Sequence, residues 1–451
     1  MSAFKAYDIR GVYGRDFQKE DVYKVGYFLP ELLNTNRILV GRDVRLSSPE
    51  IYAYLCQGIQ DAGADVCDLG VCTTPMVYWA TAEHGFKASV MITASHNPKE
   101  YNGLKISREN ALPVGYDNGL NTLERWLKER VVQPKPQAGK GRVQPFDQKA
   151  AYLAFQRQWL SDFSNLKIVM DCSNGMASLF VRDLYGDRLV YLYDELDGSF
   201  PNHEANPLDP ANIVDLQAAV GEESADLGVI FDGDADRVMF VDEYGRFISP
   251  DLMIAVLGHY FLKEKGLRGK VLQDIRTSKS VRRCIEEMGG TMAMWRVGRA
   301  YAAAKLREID GVFGGELAGH YYFRDFHYSD SGLMACSLIL GILSRFKAAG
   351  KSVSQLISEI SVYVGSGEIN FKISDKEAAM EALKAGFTAD ETPVAVYDFD
   401  GYRIEFEDWW FNVRPSNTEP YLRFIAEATH RALLEEKVNE AKAILAQFIP
   451  A

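Results

Sequence analysis

The chain has 451 residues, a length for about two to four domains. With 47% hydrophobic and 25% charged residues, each domain can bury a core, and wholesale disorder is excluded. Fifty Lys and Arg against 62 Asp and Glu leave a formal charge of −12, a field that repels duplex DNA and anionic membranes, so neither nucleic acid nor membrane is expected as a partner. An anionic small substrate needs only a local cluster of Arg, Lys and backbone N–H groups, because the wider field is screened within about 10 Å.

From the amino terminus, MSAFK is followed by no apolar h-region, so no signal peptide is expected. Residues 37–40 (RILV) read as a buried strand. Ser48-Pro49 opens a helix with Ile51, Leu55 and Ile59 on one face, closed by Gly63. Residues 88–92, 167–170 and 227–231 are further strands, and 278–288 is a helix that ends at Gly289-Gly290. Strands spaced by helices predict α/β layers. Residues 332–343 are apolar but too short to cross a bilayer, which takes about 20 residues. Cys56, Cys67, Cys72, Cys172, Cys284 and Cys336 form no CxxC and read as reduced core residues. That fits a reducing, cytoplasmic compartment.

The Pro-, Gly- and Lys-rich stretch 131–146 reads as a connector, Gly245 to Pro250 follows a hairpin-like strand pair, and 363–368 holds two glycines that could serve as a joint. The expected domains are therefore 1–145, 146–246, 247–364 and 365–451.

Three times an apolar strand runs into a polar loop: SVMITASHNP (89–98), GVIFDGDADR (228–237) and GVFGGELAGH (311–320). Strand ends of this kind are where α/β folds bind ligands, so three of them predict one shared cleft. In the first, Ser95 sits in a tight turn fixed by Asn97 and Pro98 and offers a hydroxyl; no G-x-S-x-G elbow accompanies it. In the second, Asp232, Asp234 and Asp236 at i, i+2 and i+4 can converge on one hard cation, and all-oxygen ligation by few groups suits Mg²⁺. An EF-hand is excluded, because Arg237 stands where that loop needs Gly and the flanks read as strands. The third loop exposes backbone at its glycines beside Glu316 and suits sugar hydroxyls. Further on, RPSNTEP (414–420) offers a guanidinium, hydroxyls, an amide and loop N–H groups, a set that fits a phosphate dianion.

Together with KAYDIRG (5–11), these loops, in this order and over nearly the whole chain, resemble the α-D-phosphohexomutase superfamily, in particular its bacterial phosphomannomutase/phosphoglucomutase branch. The resemblance implies four domains around a central cleft: three related mixed α/β domains and a smaller C-terminal α+β domain. It implies a phosphorylated Ser95, and Mg²⁺ on Asp232, Asp234, Asp236 and a phosphoserine oxygen. Tyr7, Arg10, His96 and Lys105 would line the reacting end, with Arg237 nearby and His96 and Lys105 as candidate bases. Glu316 would read sugar hydroxyls, with His320 near them. Arg414, Ser416, Asn417 and Thr418 would grip the phosphate that is not reacting. The implied substrates are phosphorylated hexoses, of mannose or glucose, with a hexose 1,6-bisphosphate intermediate. This chain departs from the pattern at Ala318, where Ser is usual, at Arg276, often Lys, and at Arg299, where some relatives have His. The competing functions are phosphoglucosamine mutase, whose start usually reads closer to FGTDGIRG, and a catalytically silent sugar-phosphate binder.

Overall fold

The computed structural model describes residues 3–416 and 421–449. Its strands form four sheets. In the first, Arg37–Arg42, Asp65–Val71 and Ala88–Ile92 are parallel, and Tyr101–Arg108 and Ile9–Val12 add antiparallel edges. The second repeats this order with Ile168–Asp171, Val190–Leu192 and Leu227–Phe231 parallel, then Val238–Asp242 and Phe247–Ile248 antiparallel. The third repeats it again with Lys270–Asp274, Thr291–Trp295 and Phe313–Gly315, then Tyr321–Phe323 and Ser329–Asp330. The fourth sheet is antiparallel, running from Val364–Gly365 to Ala395–Tyr397.

One consequence positions the site. Each of the three sequence loops joins the last parallel strand to the antiparallel strand beside it, so all three occupy the same place in the same topology. The preceding strands Ala88–Ile92, Leu227–Phe231 and Phe313–Gly315 are buried at every residue, which explains their continuous apolar runs. One apolar core runs through these three domains and includes the helix Gly332–Ala348. Among the described residues, no single helix is long and apolar enough to cross a membrane.

The expected boundaries fall close to structured segments. The stretch 131–146 contains a strand, Val143–Pro145, that pairs with residues 66–68 and extends the first sheet. Phe247–Ile248 pairs with the 238–242 strand and belongs to the second sheet, past the expected cut at 246. The glycine stretch 365–367 is not a free joint: Gly365 pairs with Glu427, and the Ser366 N–H donates to Ala426 O at 2.9 Å. The fourth domain docks on the third through Arg403, whose buried guanidinium donates to Ile275 O (2.8 Å) and Thr277 O (2.6 Å).

In the first domain, helices Lys19–Leu32 and Ser48–Asp61 cross at two glycines. A Cβ on Gly58 would collide with the carbonyl oxygen of Tyr23, and one on Gly26 with that of Leu55. Gly58→Ala should therefore lower stability by about 1–3 kcal/mol in urea unfolding, despite alanine's better helix propensity. Gly221→Ala, in a helix with open space around the Cβ, should raise it by about 0.5–1 kcal/mol.

Candidate active site

Ser95 sits in the first loop with a left-handed backbone (φ 51°), as does Ala235 in the second (φ 60°). Such conformations cost about 1–3 kcal/mol for a non-glycine residue and persist only where the surroundings enforce them. Here the enforcing group is Arg45, which is 1% exposed. Its guanidinium donates to the carbonyls of Ser95 (2.8 Å), Asn97 (2.6 Å), Pro98 (2.7 Å) and Tyr101 (3.0 Å), and Asp43 balances its charge at 3.2 Å. The second loop presses against the first at Gly233, where a Cβ would meet Ser95 O at 2.5 Å. Only glycine permits that approach.

The Ser95 hydroxyl then donates to Asp232 Oδ2 at 2.7 Å. Asp232, Asp234 and Asp236 are fully buried, with oxygens within 4.8 Å of one another. Lys105, on the strand after the Ser95 loop, lies 2.7 Å from Asp234 and 2.6 Å from Asp236. Thr74 donates to Asp234 at 2.5 Å. Asp234 Oδ1 and Asp236 Oδ1 are buried with no hydrogen-bond partner among the described residues. Orphaned carboxylate oxygens in an all-oxygen group fit a hard divalent cation.

Burial, then Asp236 and Asp234, push the Asp232 carboxyl well above its usual range. Burial disfavours the Lys105 ammonium, but Asp234 and Asp236 outweigh it and hold that pKa well above the ordinary value. His96 is kept neutral, its pKa held well below the ordinary value by burial first and then by Arg237, Arg10 and Lys105. Its Nδ1 lies 3.4 Å from Ser95 Oγ and 2.8 Å from the Arg237 guanidinium. Arg10 donates to Asn97 Oδ1 at 2.8 Å and pairs with Asp8. Tyr7 reaches across to the third domain and donates to Val297 O at 3.1 Å.

The third loop meets this cluster through His320, which stands in a buried chain and not open to the cleft as a sugar contact. Its Nε2 accepts from Arg237 Nε (3.0 Å), and its Nδ1 lies 2.7 Å from Asp330. Glu316 is 2% exposed, and its two oxygens accept from Gly298 N (2.6 Å) and Tyr322 OH (2.8 Å). Ala318 is half-buried beside Leu317. Arg299, expected among the sugar contacts, is turned into the domain interface. It pairs with Asp330 at 3.0 Å, donates to Ala111 O at 3.3 Å and stacks 3.5 Å from the Tyr78 ring centroid.

The same loop also reaches a second cationic group. Leu317 N donates to Asp274 (2.8 Å), and Asp274 holds the buried Arg276 through two bonds, at 3.1 and 2.8 Å. Arg414 is 4% exposed, and its Nε finds no partner among the described residues. Burial and then the neighbouring Arg276 lower its pKa. Ser416 N donates to Tyr421 O at 2.9 Å, whereas Asn417 and Thr418 lie outside the described residues.

Sequence models of phosphoglucomutase/phosphomannomutase α/β/α domains I, II and III match residues 1–130, 150–245 and 249–363, and that of the C-terminal domain matches 368–443. The chain belongs to the phosphoglucomutase/phosphomannomutase family. It is thus a phosphohexomutase, an isomerase that interconverts hexose 6-phosphate and hexose 1-phosphate. Phosphohexose mutases of Xanthomonas campestris are 37% identical over 456 residues, 99% of either chain. A phosphomannomutase of Salmonella montevideo is 34% identical over 458 residues, again 99% of each. A solved phosphoglucomutase/phosphomannomutase family protein from Burkholderia thailandensis superposes with a TM-score of 0.86 at 29% identity, covering 99% of this chain and 97% of that one.

Sequence reasoning missed Arg45, Thr74, Asp274 and Asp330. Arg45 and Asp274 do carry a signal, since each lies at or just beyond the carboxyl end of a parallel strand, where ligand loops gather. Arg45→Lys keeps the charge but replaces a planar fork facing four carbonyls with a point charge. Turnover should fall at least about tenfold and stability by about 2–4 kcal/mol, because buried carbonyls lose partners. Steady-state kinetics and urea unfolding of that variant measure both.

Proposed function

We propose that this phosphohexomutase acts on mannose and glucose phosphates through a phosphorylated Ser95 and a hexose 1,6-bisphosphate, with Mg²⁺ on Asp232, Asp234 and Asp236. The observation that carries this is the 2.7 Å bond from the Ser95 hydroxyl into the aspartate cluster, set apart from an arginine group reached through the same sugar loop. A nucleophile beside a cation site at one end and an anion site at the other fit a substrate that carries phosphate at either end. The names of the similar relatives favour mannose or glucose over glucosamine.

Bound Mg²⁺ supplies positive charge to the oxygens of the transferring group. The chain's own residues do the rest. Arg414 and Arg276 hold the distal phosphate, and Glu316, fixed by Gly298 and Tyr322, faces the sugar hydroxyls. The free hexose hydroxyl forms a new O–P bond as the bond from Ser95 Oγ to phosphorus breaks. Its proton is relayed, with the neutral His96 beside Ser95, to the Ser95 oxygen that is released. Lys105, held as an ammonium, contributes charge, as does Arg237. The bisphosphate then turns end for end, and the opposite phosphoryl returns to Ser95, whose own proton passes by the same route to the sugar oxygen that is released. Such transfer depends on alignment and charge neutralisation more than on covalent chemistry by the protein.

Ser95→Ala should lose at least about a thousandfold in turnover, as expected for a lost covalent nucleophile, and the wild-type protein should carry a phosphoryl group on Ser95 by mass spectrometry. Near-normal activity of the variant would refute the phosphoenzyme. Chelator should abolish activity and Mg²⁺ should restore it, with Zn²⁺ a poor substitute because it prefers nitrogen and sulfur ligands. Full activity after exhaustive EDTA treatment would remove the aspartates from that role.

A further inference from the structure

Val364–Gly365 and Ile369–Lys372 pair with one strand, Tyr421–Ala428, but not in continuous register. Gly365 faces Glu427 and Ile369 faces Phe424, so residues 366–368 oppose only 425 and 426. This is a β-bulge, a device that re-aims side chains and recurs beside active sites. Gly367 takes the left-handed conformation it needs (φ 67°), and Ser366 locks it by exchanging hydrogen bonds with Ala426 at 2.9 and 3.0 Å.

The residue re-aimed is Glu368. Its carboxylate accepts from Arg423 at 2.9 Å and lies 3.8 Å from Arg276. Both arginines also act electrostatically on Arg414, as does Glu368 with the opposite sign. Glu368 thus acts on all three guanidinium groups, beside Asp274 on Arg276 and Asp400 on Arg414. Arg276 does not need Glu368 to hold its place, because two bonds from Asp274 already fix it. What Glu368 adds is negative charge where an incoming phosphate would bring its own.

We infer that Glu368 is a built-in counter-ion of the distal phosphate site, opposing the phosphate for the same arginines and so setting how firmly it is held. This rests on Arg414 being the distal anchor. It gives the enzyme a reason for the bulge: a bisphosphate that must let go and turn is released more readily when a carboxylate facing all three guanidinium groups competes with it.

The test is calorimetric titration of full-length wild type, Glu368→Gln, Glu368→Asp and Arg414→Ala with glucose 6-phosphate and with inorganic phosphate. Glu368→Gln should tighten binding by roughly three- to tenfold, a modest change because the carboxylate is a quarter exposed and partly screened. It should also release less free bisphosphate per turnover. Glu368→Asp, which keeps the charge but withdraws it, should fall between. Unchanged or weaker binding in Glu368→Gln, with Arg414→Ala clearly weakened, would overturn the inference and make Glu368 a prop for the arginines. Wild-type affinity in Arg414→Ala would instead overturn the distal-site assignment beneath it.

Discussion

Asp232, Asp234 and Asp236 are wholly buried, with oxygens within 4.8 Å of one another. Taking one such charge out of water costs several kcal/mol, and gathering three adds their repulsion. The metal loop cannot meet this demand alone. Arg237 of the same loop compensates in part, at 3.7 Å from Asp232 and 3.9 Å from Asp236, and the rest comes from the first domain through Lys105, Thr74 and the Ser95 hydroxyl. The acidic loop is therefore best compensated while the first two domains are docked, with Gly233 against the Ser95 carbonyl. Packing between domains and assembly of the reacting centre are a single event.

The repeated topology makes that docking productive. Three domains each present a loop at the same hairpin position, and the third joins the other two through Arg237 and His320, which also pair through an isolated backbone bridge. The His320 ring takes a defined tautomer from its partners: Nε2 accepts from Arg237, so Nδ1 carries the proton toward Asp330. Asp330 is in turn held by Arg299. This chain of buried polar groups runs from the Tyr78 face of the first domain to the Ser95 loop, and leaves little freedom in Arg237 or His96.

The two ends of the cleft are built differently. At the Ser95 end, carboxylates outnumber cations in a buried cluster, with Lys105 shared between Asp234 and Asp236, which suits a centre completed by a cation. At the other end, Arg276, Arg414 and Arg423 gather beside Asp274, Glu368 and Asp400, and Arg414 Nε is left without a partner among the described residues, which suits capture of an anion from solution. The loop 314–320 belongs to both, through His320 on one side and Leu317 on the other.

The sequence by itself determined much of this. Strand-then-loop patterns located the Ser95, aspartate and Glu316 loops, and apolar runs marked their buried strands, because both are local signals of period and turn chemistry. Residue types alone pointed to a nucleophile, a hard-cation site and an anion site. Only the tertiary structure decided which groups balance those charges. Arg45 and Thr74 lie far along the chain from the atoms they hold, and no periodicity points from one to another. It also tied Arg299 to Asp330 and the Tyr78 ring and drew the glycines at 365–367 into a sheet. Both outcomes depend on which surfaces meet: a cation finds the aromatic face and carboxylate that packing brings near, and a glycine bends freely only where no strand claims its backbone hydrogen bonds.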